Sequence, residues 1–176
     1  MDYSLQANQK RLEGSQHADR DAQFEYINRK ARRYLKQGEP VISVDTKKKE
    51  LVGNFAREGH TQTQVPVDVL DHDFPSAGEG KLIPHGLYDL ARNEGHIHLN
   101  TSHDTSEFCC DSIAHWWEGH GRRNYPSSRR LLLLCDGGGS NASKRHILKE
   151  ERQRLADRLG IEIRVAHDPP YCSKYT

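Results

Sequence analysis

The sequence predicts an α/β domain, a mixed sheet with helices packed on it, and three features carry that prediction. Its apolar patterns run in the order strand, hairpin, helix, strand, helix, strand, which makes five strands. Leu131 to Cys135 is unbroken apolar, the pattern of a central strand covered on both faces. Two such runs, VISV and LLLLC, pass straight into an aspartate, Asp45 and Asp136. A strand end beside a loop is where side chains converge on a ligand while the sheet holds them rigid.

The elements follow in chain order. Phe24, Ile27, Ala31 and Leu35 form a narrow apolar stripe at three-to-four spacing, so residues 1 to about 40 are read as a charged, helical N-terminal arm. Asp19 and Asp21 precede that helix, Arg32, Arg33 and Lys36 end it, and Gly38 with Pro40 stops it, as the helix dipole prefers. Residues 41–176 form the core domain. Val41 to Val44 is a short strand delivering Asp45 and then Lys47, Lys48 and Lys49. Asn54 to Pro84 lacks periodicity and reads as a long loop. Gly86 to Ser102 reads as a hairpin turning at Asn93-Glu94-Gly95, with Ile97 and Leu99 on one face and His96, His98 and Asn100 on the other. Asp104 and Glu107 make a capping-box-like pair ahead of a helix whose apolar side is Phe108, Ile113, Trp116 and Trp117. After Leu131 to Cys135, Gly137 to Gly139 turn the chain. Ser140 or Asn141 can cap a helix with Ile147, Leu148, Leu155 and Leu159 inward, and Ile161, Ile163 and Val165 alternate as a last strand. The first strand and the Leu131 strand can lie parallel through a crossover, which brings Asp45 and Asp136 together.

Composition narrows the function. A chain of 176 residues buries one proper core, and a net charge of +1 excludes a globally basic nucleic-acid binder, so any contact with a polyanion is local. The four cysteines form no CxxC pair and suit reduced cytosolic thiols. No apolar run of about 18 residues exists, and the first residues are too polar for a signal peptide. The mean hydropathy of −0.90 indicates that much of the chain is surface or awaits a partner.

Two acids held together at strand ends repel one another and desolvate badly unless a divalent cation neutralises them, so Asp45 and Asp136 read as half of a magnesium site. Around them, VISVDTKKKELVGNF, HDFP, IPHGLYDLARNEG, HDTSEF, LLLLCDGGGSN and HDPPYCSKY closely resemble the DDE transposases of the Rhodopirellula-type insertion-sequence family, from about Asp21 to the last residue. The resemblance implies a ribonuclease H-like fold and metal-dependent cutting and joining of DNA at the ends of a mobile element. It implies Mg2+ or Mn2+ held by three carboxylates, with Asp45 as the first and a bridge between two ions, and Asp136 as the second. The family's third acid, a glutamate on a final helix, falls beyond Thr176. The expectation is therefore a fragment that is inactive alone, without the family's amino-terminal DNA-binding part. It also implies DNA and possibly further copies of the chain as partners, a cytoplasmic setting at the nucleoid, no membrane and no small-molecule cofactor.

Plainer readings stand beside these. Lys47, Lys48, Lys49 and Lys174 are candidate phosphate contacts, but a lysine run is also an ordinary solvated loop. His96 and His98 share a face as zinc ligands do, yet a polar outer hairpin face explains them as well. Trp116 and Trp117 could stack on bases, but their helical spacing makes them core, and Cys135 reads as a small buried hydrophobe. Two other functions remain open: a non-enzymatic relic that binds DNA or transposase, and a hydrolase using Asp45 and Asp136 as an acid–base pair without metal.

Overall fold

The computed structural model describes residues 19–60, 62–101, 106–135 and 146–168. In chain order the elements are α1 (Arg20–Lys36), β1 (Val41–Thr46), β2 (Glu50–Val52), β3 (Gly80–Asp89), β4 (Glu94–Asn100), α2 (Ser106–Trp116), α3 (Arg122–Asn124), β5 (Arg130–Cys135), α4 (His146–Leu159) and β6 (Glu162–His167). The sheet order is β2-β3-β1-β5-β6, with β4 on β3. β1, β5 and β6 are mutually parallel, and the β3–β4 hairpin is antiparallel to β1. The sheet thus has six strands rather than five. The additional one, β2, is only three residues long, too short to show an alternation of its own.

Both faces of the central strands are covered. Ile42, Val44, Leu131, Leu133 and Cys135 pack beneath α2 and α4 with Ile113, Trp116, Trp117, Leu155 and Leu159. Val41, Leu132 and Ala166 pack beneath α1 with Ile27, Ala31 and Tyr34. Leu131, Leu132 and Leu133 are each 0% exposed, and complete burial of a leucine contributes about 1.5–3 kcal/mol, so this run is the axis of the domain. α1 stops at Gly38, whose φ of +70° is the left-handed conformation that glycine adopts without steric cost. The helix from α2 to α3 passes through a π turn at Trp117–Gly121. A Cβ on Gly121 would stand 2.5 Å from the Trp117 ring, so only glycine allows the two tryptophans to stay buried there.

Three expectations change. Residues 80–84, read as loop, belong to β3, and the segment before them holds only a Phe55–Leu70 bridge and a single 3₁₀ turn at Pro75–Ala77. The hairpin turns one step earlier: the positive φ of 57° falls on Asn93, and Gly95 lies inside β4 opposite Tyr88. The outer face is also inverted. His96 and His98 look inward, His96 stacking on Trp116 and His120 and His98 on His115, while Ile97 and Leu99 are 71% and 59% exposed. Alternation defines two faces of a strand, but the helix that covers one of them decides which is inside. The expected caps Asp104, Ser140 and Asn141, the turn Gly137 to Gly139, and the side chains of Ile147 and Leu148 lie outside the described residues.

Candidate active site

Parallel pairing puts the carboxyl ends of β1, β5 and β6 on one edge of the sheet. The register aligns Val44 with Cys135, and Cys135 with His167, and the Asp168 N–H closes the ladder onto the Cys135 carbonyl at 2.9 Å. Asp45 is the residue after Val44, so it stands at this edge. Val41 packs under α1, and alternation puts Asp45 on that same face. Its side chain is 35% exposed, open enough to meet a ligand.

Lys47 lies two residues past Asp45, hence on the same face, and begins a backbone irregularity. Thr46 pairs with His85 and Glu50 with Leu82, so Lys47, Lys48 and Lys49 face only Ile83 and Pro84 across the ladder. That extra residue is a β-bulge, a feature common beside active sites because it re-aims side chains. The Lys47 N–H donates to the Pro84 carbonyl at 2.9 Å, and its ammonium donates to Asp45 Oδ2 at 2.6 Å. That hydrogen bond, reinforced by the carboxylate charge, holds the Lys47 ammonium above its ordinary pKa. Lys48 and Lys49 are exposed beside it. On the other side, Gly86 lies opposite Asp45, and Ile97 lies opposite Gly86. A bare glycine backbone is therefore the floor next to the carboxylate, and a large ligand can approach it closely.

Of the residues singled out in the sequence, the structure brings Asp45 and Lys47 together; Asp136 and Lys174 lie outside the described residues. Asp168 was not singled out, though it stands at the same edge. Its signal was weaker than that of the other two acids, an aspartate one residue past an alternating rather than a continuous apolar run. β6 is two strands from β1, so with about 4.8 Å per strand its backbone is about 10 Å from that of Asp45. Among the described residues no group of three His, Cys, Asp or Glu side chains could hold a metal ion.

A divalent cation fits what is present at Asp45. The donor is a hard carboxylate oxygen, half open to solvent, and it already holds a cation, the Lys47 ammonium, at 2.6 Å. The histidines do not gather into a zinc centre: His96 lies against His120 and His98 against His115, and among the described residues no three ligand side chains come together. Nor is Cys110 a nucleophile, since burial pushes its thiol up to about 11. Cys135 is buried as a small hydrophobe.

A mixed sheet with a parallel β1–β5–β6 half, an antiparallel hairpin on β1 and helices on both faces is the architecture of the ribonuclease H-like class. The fold agrees: the chain superposes on the Mos1 transposase paired-end complex with left transposon end at a TM-score of 0.55 and 12% identity, covering 97% of this chain and 48% of that one. The Mos1 mariner paired-end complexes with Mn and with Mg give TM-scores of 0.54 and 0.52 at 12% and 11% identity; each match covers 96% of this chain and 47% of theirs. The chain thus spans about half the length of the structures it matches. No curated protein sequence matches it. The model of the Rhodopirellula transposase DDE domain matches residues 1–176, and the chain belongs to that family of DDE transposases.

Proposed function

We propose that this chain supplies the catalytic core of a DNA transposase, cutting and joining DNA strands at the ends of a mobile element with the help of a divalent cation. Asp45 carries the reading: a half-exposed carboxylate on a rigid central strand, already neutralised by a neighbouring cation. Asp45 and Asp136 would hold magnesium or manganese. When bound, such an ion supplies charge neutralisation and Lewis acidity at a phosphodiester.

The chain's own residues prepare the place. β1, paired with β5 as far as Val44 and with β3 through Asp45 itself, fixes the carboxylate's backbone before any ligand binds. Lys47 neutralises and orients the carboxylate through their hydrogen bond and can turn to a phosphate when displaced. Lys48 and Lys49 are exposed to neutralise neighbouring phosphates, and Gly86 keeps the floor bare for the DNA backbone. DNA and further copies of the chain are the proposed partners, in keeping with the transposase–DNA complexes whose fold it shares. No helix among the described residues is long and apolar enough to cross a membrane.

The test is Mn2+ binding followed by electron paramagnetic resonance, with wild type against Asp45→Asn and Asp136→Asn. Even indirect supports of a metal ligand cost about 10- to 100-fold in affinity when lost, so each variant should lose at least that much. Mn2+ affinity that survives both substitutions defeats the proposal. Cleavage of DNA by the wild type in chelator would favour the metal-free acid–base hydrolase instead.

A further inference from the structure

α1 carries a feature that the acid site does not explain. Arg29, Arg32, Arg33 and Lys36 recur at i, i+3, i+4 and i+7, and all four are exposed. Ile27, Ala31 and Tyr34 are the buried side of the helix, and at 3.6 residues per turn the four cations fall on the opposite side. They line an open groove of about 660 Å³ in which Glu25 is the one carboxylate among the described residues. Six arginines elsewhere are paired, Arg57 with Asp73, Arg92 with Glu94, Arg130 with Glu39, Arg154 with Glu150, Arg158 with Glu118 and Arg164 with Glu162, while the other described arginines do not line up along one helix face as these four cations do. None of the four stripe cations takes part in an ion pair among the described residues. Favourable interaction with the helix dipole accounts for Arg33 and Lys36 in the last turn, but not for Arg29 and Arg32.

On a chain of net charge +1, four adjacent unneutralised cations are a large local excess. We propose that this stripe seats the phosphate backbone of duplex DNA away from the acid edge, independently of base sequence. The proposal rests on the transposase reading, which supplies the DNA. α1 covers the same sheet face on which Asp45 lies, so one duplex can reach both. From residue 29 to 36 the helix advances about 10 Å, matching about three phosphates of one strand at about 3.4 Å of axial rise each.

The experiment measures binding of a short duplex of arbitrary sequence by fluorescence anisotropy across a salt series. One variant carries Arg29→Gln, Arg32→Gln, Arg33→Gln and Lys36→Gln. A control carries Arg57→Gln, Arg92→Gln, Arg154→Gln and Arg158→Gln, which lowers the net charge equally but removes cations that already have partners. Circular dichroism establishes that both are folded. Each phosphate contact contributes about −0.9 to the slope of log K against log salt, so the stripe variant should be shallower than wild type by about 3 while the control keeps the wild-type slope. Equal slopes for the two variants overturn the proposal and leave the transposase reading intact. If wild type fails to bind duplex at low salt, the transposase reading falls with it. If the stripe variant alters self-association in sedimentation but keeps the wild-type slope, the groove receives an acidic protein surface instead, and the proposal is overturned.

Discussion

Replacing Tyr125 by Phe should cost the fold about 1.5–3 kcal/mol, because one hydroxyl stands between a buried carboxylate and an unmet charge. Asp89 closes β3 and is 1% exposed. Its Oδ1 accepts the Ala91 and Arg92 backbone N–H groups at 3.1 and 3.3 Å, and the Tyr125 hydroxyl lies 2.8 Å from both carboxylate oxygens. A hydroxyl has one proton, so it makes one donated bond at a time, and a hydrogen bond to a charged acceptor is worth about 1.5–3 kcal/mol. Arg92 does not take over the role, since its guanidinium is committed to Glu94. Phe keeps the ring packed against the core, so the loss isolates the hydroxyl. Burial, followed by the Asp89 carboxylate that accepts the proton, raises the Tyr125 pKa, so the bond persists through the neutral range and beyond. Urea unfolding should show a lower midpoint with an unchanged slope, equivalent to about 3–12 °C in Tm for a domain of this size. In an Asp89→Asn background the same substitution should cost only about 0.5–1.5 kcal/mol. A loss below about 0.5 kcal/mol in the wild-type background, or equal losses in both, would refute the reasoning.

Two further outcomes follow from the site and its surroundings. Replacing Lys47 by Met removes the ammonium that competes for Asp45; a largely exposed pair is worth about 0.2–1 kcal/mol, so Mn2+ should bind about 1.4- to 5-fold more tightly by titration calorimetry. Because the Lys47 pKa is raised, the pair's contribution is fully present below the ordinary lysine value and is lost only as pH rises through the folded value, so the Met variant should match wild type in its stability profile from pH 6 to 9. By contrast, desolvation and neighbouring imidazoles lower the pKa of His96 and His98, against the pull of Glu94 and Asp89 on His96. The folded state then binds fewer protons than the unfolded one, so stability should hold above the ordinary value near 6.5 and fall as pH drops below it; a His96→Gln, His98→Gln variant should flatten that fall in urea titrations at pH 5 to 7.

Much of this was legible in the residues, for identifiable reasons. The runs at Val41 and Leu131 announce themselves because both faces of those strands are buried, so no charged residue and only the small Ser43 interrupts them. Asp45 stands out as the first polar residue after such a run. Lys47 was visible as one cation of a run, but the run alone does not say which of its three lysines meets Asp45. The hairpin was misplaced because an asparagine tolerates the left-handed conformation, and Gly95 drew the eye to the wrong position. The inward histidines were unreadable, since only the packing of α2 makes the polar-looking face of β4 the covered one. The basic stripe on α1 was visible as charge, but that it stays unneutralised is a property of where every carboxylate ends up.

The lysine run after Asp45 counts residues as well as charges. Its odd member is what throws β2 out of step with β1 along their common neighbour. Shortening the run by one would let the ladder zip continuously with Glu50 still opposite Leu82, so Glu50, Leu51 and Val52 would keep their side of the sheet while the irregularity beside Asp45 disappeared. A shortened run would thus keep most of its positive charge and still change the backbone at the mouth of the site, so spacing there matters as well as charge.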